Sequence, residues 1–184
     1  MATLSNMMEL GTKAPSFSLM DTVSNKTVTL EDLRSDVATV VFFICNHCPY
    51  VKHINSKMVE VANKYQAKGV QFVAISSNDV KTHPQDGPDE MKQVAKDEKY
   101  PFPYLYDETQ KVAKAYQAEC TPDLFVFDTN LKCVYRGQFD NTRPNKGEPT
   151  GKDLSAALDA IIAGEKVNPD QKPSMGCNIK WKEE

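Results

Sequence analysis

Short apolar runs and amphipathic stretches alternate along the chain. Val37 to Ile44 (VATVVFFI), Val70 to Ser76 (VQFVAIS) and Asp123 to Phe127 (DLFVF) are nearly unbroken runs rich in Val, Ile and Phe, the pattern of strands covered on both faces. Val51, Ile54, Met58, Val61, Ala62 and Tyr65 instead recur at spacings of three and four, with Gly69 as a stop signal. That spacing predicts an amphipathic helix.

Pro88 opens a second helical pattern in GPDEMKQVAKDEKY, and Asp107 with Gln110 is placed to cap a short helix running to Tyr116. Thr150 and Asp153 form a capping pair for a stripe of Leu154, Ala157, Leu158, Ile161 and Ile162 that ends at Gly164. FSLM and KTVTL flank Asp21 to Asn25 as a hairpin, and Cys133 to Phe139 (CVYRGQF) is expected to pair with DLFVF across the turn Asp128-Thr129-Asn130. The alternation predicts an α/β sheet with a parallel centre and a hairpin at one edge. Two loops, Val80 to Pro88 and Asp140 to Pro149, are functional or merely long. Residues 165–184, with two prolines and Gly176, read as a docked tail.

A length of 184 residues fits one domain over 1–184 that buries its own core. With 40% hydrophobic and 26% charged residues and a net charge of -3, the composition is that of an ordinary globular protein without a basic face for nucleic acid. The start, MATLSNMMELGTKAP, lacks a basic region followed by an apolar run. No segment approaches the ~20 apolar residues that span a bilayer, so a cytoplasmic protein with no membrane partner is expected. Its five cysteines are odd in number and unevenly spaced. The thiols should therefore be mostly reduced, and any disulfide catalytic.

The chemistry concentrates at VVFFICNHCPY, where an apolar run meets Cys45 and Cys48 with His47 between them. A strand that ends in this spacing and starts a helix sets both thiols at a helix N-terminus, where free N–H groups and the dipole stabilise a thiolate. A protonated His47 would add to that effect. Half a zinc site uses the same spacing, but Cys120, Cys133 and Cys177 are scattered rather than paired. Redox dithiol, zinc ligands and inert packing are the three readings, and the position at a strand end favours the first. No cofactor and no resident metal are expected.

Four stretches resemble the alkyl hydroperoxide reductase/thiol-specific antioxidant (AhpC/TSA) branch of the thioredoxin-fold redoxins: GTKAPSFSLMDTVSNKTVTLEDL, VVFFICNHCPYVK, TPDLFVFD and VYRGQFDN. The resemblance implies a thioredoxin-like fold with a central mixed sheet, an N-terminal β-hairpin extension and flanking helices. It also implies that Cys45 is the exposed nucleophile and Cys48 the more buried resolving thiol. Pro122, after Thr121, would be a cis-proline facing them, with the Thr121 backbone pairing to an extended substrate. Two departures stand out. Ile44 and Thr39 occupy the places where thioredoxins keep Trp and a buried acid, so the helper base is unassigned, with Glu119 or a water as stand-ins. Aligned to the peroxiredoxin pattern P-x-x-x-T-x-x-C, Cys48 falls on the last position, Val41 replaces Pro and Cys45 replaces Thr. Only Pro49 fits. No Arg adjoins Thr121-Pro122, and Arg136 or Arg143 would serve only if a loop folds back.

Cys120 is expected near the dithiol, as a small packing residue or a partner in a mixed disulfide or metal site. Cys133 reads as core. Cys177, in PSMGCNIKW, is either a resolving cysteine on a mobile tail or part of a tail docked by Ile179 and Trp181. His53 and His83 read as surface or capping residues that could still join the thiols in binding copper. Tyr100 to Tyr106 (YPFPYLY) either packs a loop or walls the site.

Three functions follow. The first is a thiol-disulfide oxidoreductase in thiol redox homeostasis, acting on a protein or small-molecule disulfide and reset by an external thiol reductant. The second is an antioxidant AhpC/TSA-type thiol peroxidase. The third is a thioredoxin-like copper carrier. Physiological substrate, redox potential and oligomeric state are not legible.

Overall fold

The computed structural model describes residues 2–183; Met1 and Glu184, the ends of the 1–184 span, lie outside the described residues. In chain order the elements are β1 (Ala2–Leu4), β2 (Ser18–Asp21), β3 (Thr27–Thr29), β4 (Thr39–Phe43), α1 (Pro49–Gln66), β5 (Gln71–Ser76), α2 (Pro88–Asp97), β6 (Tyr104–Tyr106), α3 (Lys111–Ala115), β7 (Cys120–Thr121), β8 (Asp123–Phe127), β9 (Cys133–Gly137), α4 (Lys152–Ile162) and β10 (Met175–Asn178). Seven strands form one sheet in the order β3-β2-β6-β5-β4-β8-β9. The centre, β6-β5-β4, is parallel, while β2-β3, β2-β6, β4-β8 and β8-β9 are antiparallel. The expected mixed sheet with an edge hairpin is what the chain builds.

All five residues of β4 are buried, because alternate side chains feed two cores. Val40, Phe42 and Ile44 meet α1, α2 and α4 through Val51, Met58, Met91, Leu154 and Leu158. Val41 and Phe43 meet α3 and the N-terminal segment through Ala113, Tyr116, Met8 and Phe17. In α1 the stripe predicted from spacing is the buried face, and Asn55 joins it.

Two caps differ from expectation. Thr150 and Asp153 form no capping box: the N-cap of α4 is Gly151 at φ 66, where a Cβ would collide with Phe139 and Val61. The Asp140 carboxylate satisfies the amides of Thr150 and Gly151 there, at 2.7 and 2.8 Å. At α3, Asp107 does cap, accepting from the amides of Val112 and Ala113. Gln110 instead holds Lys180 and Lys182 of the C-terminal segment through its side-chain amide.

A second, three-stranded sheet, β1-β10-β7, joins the two ends of the chain to the strand just before Pro122. Neither β6 nor β10 was foreseen as a strand. Each is short, and β10 (MGCN) has no alternating pattern; main-chain pairing defines it. Among the described residues no helix is long and apolar enough to cross a membrane.

Candidate active site

β4 ends at Phe43, and the chain bends through Cys45-Asn46-His47 before Cys48 becomes the N-cap of α1, with Pro49 at its first turn. Pro suits that position because the amide it lacks would have no helical partner. Both thiols are buried, Cys45 at 1% and Cys48 at 0% exposure. The expectation of an exposed Cys45 is therefore corrected: both cysteines belong to the buried core that β4 and α1 share, and His47 is the partly open residue between them.

The bend is held by Asp86, which sequence reasoning did not single out. Its carboxylate is fully buried and accepts from the Asn46 amide (2.8 Å), the His47 amide (3.2 Å), His47 Nδ1 (2.5 Å) and Asn78 Nδ2 (2.9 Å). Amides of a tight bend have no ladder partners, and a buried carboxylate needs several donors. Each solves the other's deficit. Asn46 is tied further by Gln85 O at 2.9 Å and by the Tyr104 hydroxyl at 2.9 Å. The loop Val80 to Pro88 is thus part of the site, while Tyr100, Phe102 and Tyr104 pack in the core and Tyr104 reaches the bend through Asn46.

Facing the thiols is a cis peptide between Thr121 and Pro122. Thr121 Oγ1 is 3.5 Å from Cys45 Sγ, and Thr121 O is 3.2 Å from Cys48 Sγ. The backbone edge of Thr121, expected to be open for an extended substrate, is occupied. β10 pairs antiparallel with β7 there, Cys177 opposite Thr121 and Asn178 opposite Cys120. Gly176 permits the approach, since a Cβ at that position would overlap the Thr121 carbonyl. The pairing brings Cys177 Sγ to 2.7 Å from Cys48 Sγ.

The surroundings divide the thiols. Cys48 is lowered to about 5, first by the Cys45 S–H, against burial, and with help from the Cys177 S–H, the Thr121 hydroxyl and the Val51 amide. The Thr121 carbonyl, 3.2 Å from Cys48 Sγ, favours the protonated form and opposes them. Cys45 is pushed well above the ordinary thiol range by that hydrogen bond to Cys48, by burial and by the Asp86 charge. Burial, then the bond to Cys48, raises Cys177 to about 12.

Cys120 is buried beside Pro122, its Sγ 3.7 Å from Pro122 O, and burial raises its thiol. Cys133 is core, as expected. His53 bonds Thr142 at 2.9 Å, whereas His83 stacks on His47 with centroids 5.0 Å apart. The copper grouping of thiols with His53 is thus not assembled. Cys45, His47 and Asp86 do offer donor atoms within 4.8 Å of one another, although four hydrogen bonds already engage Asp86. Arg136 donates to Met8 O and Gln171, away from the thiols. Arg143 lines a cleft of about 20 Å³ beside Pro122 with Tyr50 and His53, room for roughly one water. Glu119 accepts from Asn6 and does not serve the dithiol.

The sequence profile of the AhpC/TSA family matches residues 10–136. No curated protein matches the chain. Among solved structures, an uncharacterized conserved protein from Geobacillus kaustophilus is 58% identical, with a TM-score of 0.98 over 100% of this chain and 97% of that one. A hypothetical protein from Sinorhizobium meliloti 1021 is 43% identical, TM-score 0.96, over 99% and 100%. The thioredoxin domain of a thiol-disulfide oxidoreductase from Bacteroides vulgatus is 17% identical, TM-score 0.61, over 76% and 93%, a likeness of fold.

Proposed function

The chain belongs to the AhpC/TSA family, a redox family with a thioredoxin-like fold, and on that premise we propose that it is a thiol-disulfide oxidoreductase working through Cys45 and Cys48. One observation carries the reading. Two thiols at a strand-to-helix junction face a cis-proline whose preceding Thr121 contacts both sulfurs.

In this reading the Cys45 thiolate attacks a disulfide, and the far sulfur of the substrate leaves. The Cys45 proton passes along its hydrogen bond to Cys48 or is lost at the partly open His47 side, where the Asp86-held imidazole stands 3.8 Å from Cys45 Sγ. Cys48 then attacks the Cys45 sulfur of the mixed disulfide and expels the second substrate thiol. With Cys45 in the mixed disulfide its S–H no longer helps, and the Cys177 thiol, the Thr121 hydroxyl and the Val51 amide are left to favour thiolate at Cys48 in place of the missing helper base. A thiol reductant returns the Cys45–Cys48 disulfide to the dithiol. Pro49, Thr121, Pro122, His47 and Cys120 support the pair, in one redoxin domain whose segment 165–184 is docked on the site. A reducing cytoplasm suits its unpaired cysteines.

The test is reduction of insulin disulfides. Cys45→Ser should abolish it, while Cys48→Ser should trap a mixed disulfide; full activity in both variants would sink the reading. The family match favours a second reading, thiol peroxidase. It requires hydroperoxide to oxidise the dithiol far faster than it oxidises free glutathione, and comparable rates would exclude it.

A further inference from the structure

The C-terminal segment is fixed over the dithiol rather than hanging free. β10 is paired on one side with β1 and on the other with β7. Beyond it Ile179 is buried and donates its amide to Glu119 O at 3.0 Å. Asn78 Oδ1 takes the Lys180 amide at 2.9 Å, and Gln110 takes that of Lys182 at 3.0 Å. Asn78 also donates to Asp86, so one side chain ties the segment to the bend that bears the dithiol.

Within this frame Cys177 has the register of a bound substrate. It lies opposite Thr121 in an added antiparallel strand, where a peptide's cysteine would be presented to the site. Its sulfur is 2.7 Å from that of Cys48, and Cys48 is the thiol that both of the others contact. Fixed neighbours react as if at very high local concentration.

We propose that Cys177 is the third redox thiol of this site, and that a disulfide formed between Cys45 and Cys48 passes inward to Cys48 and Cys177. This rests on the dithiol reading above. The Cys177 sulfur gives up its proton and attacks the Cys48 sulfur. A Cys48–Cys177 bond forms, the Cys45–Cys48 bond breaks, and Cys45 leaves as a thiolate that takes up a proton. The step is an exchange, so no external oxidant or reductant enters it. Its product keeps the oxidising equivalent under β10, returns Cys45 to the thiol form beside His47, and bonds β10 covalently across the Thr121 edge.

Reduced protein is titrated with diamide, quenched with acid and alkylated, and the disulfide of each singly oxidised species is mapped by mass spectrometry. In the wild type about one tenth or more of these molecules should link Cys48 to Cys177 with Cys45 alkylated. Cys45→Ser, which removes the competing bond, should link Cys48 to Cys177 in most molecules. A wild-type share below one tenth overturns the exchange, whatever the Cys45→Ser protein does. If Cys177→Ala forms the Cys45–Cys48 disulfide in that case, the dithiol reading stands alone. If Cys177→Ala forms no such bond, the dithiol reading falls and takes the exchange with it, because the donor disulfide is lacking.

Discussion

Asp86 grips His47 at two points, the backbone amide and ring Nδ1, through the two oxygens of one buried carboxylate. The residue between the two thiols is thereby fixed in both backbone and side chain, and a negative charge is kept close to Cys45 but further from Cys48. That asymmetry is one reason why Cys45 holds its proton.

Asp86→Asn keeps the shape but removes the charge and replaces one acceptor with a donor. Leaving buried donors unpaired costs about 1–3 kcal/mol for each group. We expect a loss of about 2–4 kcal/mol, read as a lower urea midpoint at unchanged slope. The Cys45 thiol should titrate lower than in the wild type, measured by the pH dependence of its alkylation. An unchanged Cys45 profile would remove the Asp86 charge from the account.

The reduced protein should show one thiolate with a midpoint near 5, followed at 240 nm. An unfolded cysteine titrates near 9, so between those values the unfolded chain binds one more proton at this site than the folded one. Stability from Cys48 therefore rises with pH across that window, by about 1.4 kcal/mol per pH unit, and is lost as pH falls through 5. Above 9 the sign reverses, because the raised Cys45 and Cys177 keep protons that the unfolded chain releases. Cys48→Ser should flatten the slope between 5 and 9, and Cys45→Ala should move the midpoint upward by removing the largest donor.

Asp123, next to Pro122, is a buried carboxyl at 1% exposure whose Oδ2 has no hydrogen-bond partner. Burial raises its titration well above the usual carboxylate range. Here the contribution is complete below the unfolded value near 3.8 and is lost as pH rises through the folded value. Asp123→Asn should be more stable than the wild type at neutral pH, with a gap that narrows toward pH 4. Thermal unfolding at several pH values checks this, and a gap independent of pH would contradict it.

Gly176→Ala sets a methyl group where the Thr121 carbonyl lies. Backbone cannot yield as a flexible side chain does, so β10 must lift from β7. We expect a loss of about 1–3 kcal/mol and alkylation of Cys48 faster by roughly tenfold or more, the factor that corresponds to about 1.4 kcal/mol of easier opening. Unchanged protection of Cys48 would show that β10 does not cover it.

By itself the sequence determined what neighbours in the chain can decide. Unbroken apolar runs located β4, β5 and β8 and period-3.6 stripes located α1 and α4, because a buried strand and an amphipathic helix each write their environment into consecutive residues. The thiols three positions apart at the junction of β4 and α1 follow from the same local logic, and the resemblance that named Thr121-Pro122 is borne by contiguous motifs. Tertiary structure decided the rest. Asp86 lies 39 positions from His47 and Cys177 lies 129 from Cys48; nothing in PQDGP marks Asp86, and MGCN offers a cysteine without saying which sulfur it meets, since backbone hydrogen bonds and one buried acceptor hold them there. The edge at Thr121 looked open for the same reason. A strand secured by main-chain pairing leaves no side-chain pattern, so only the folded chain shows that β10 occupies it and brings a third sulfur to the pair.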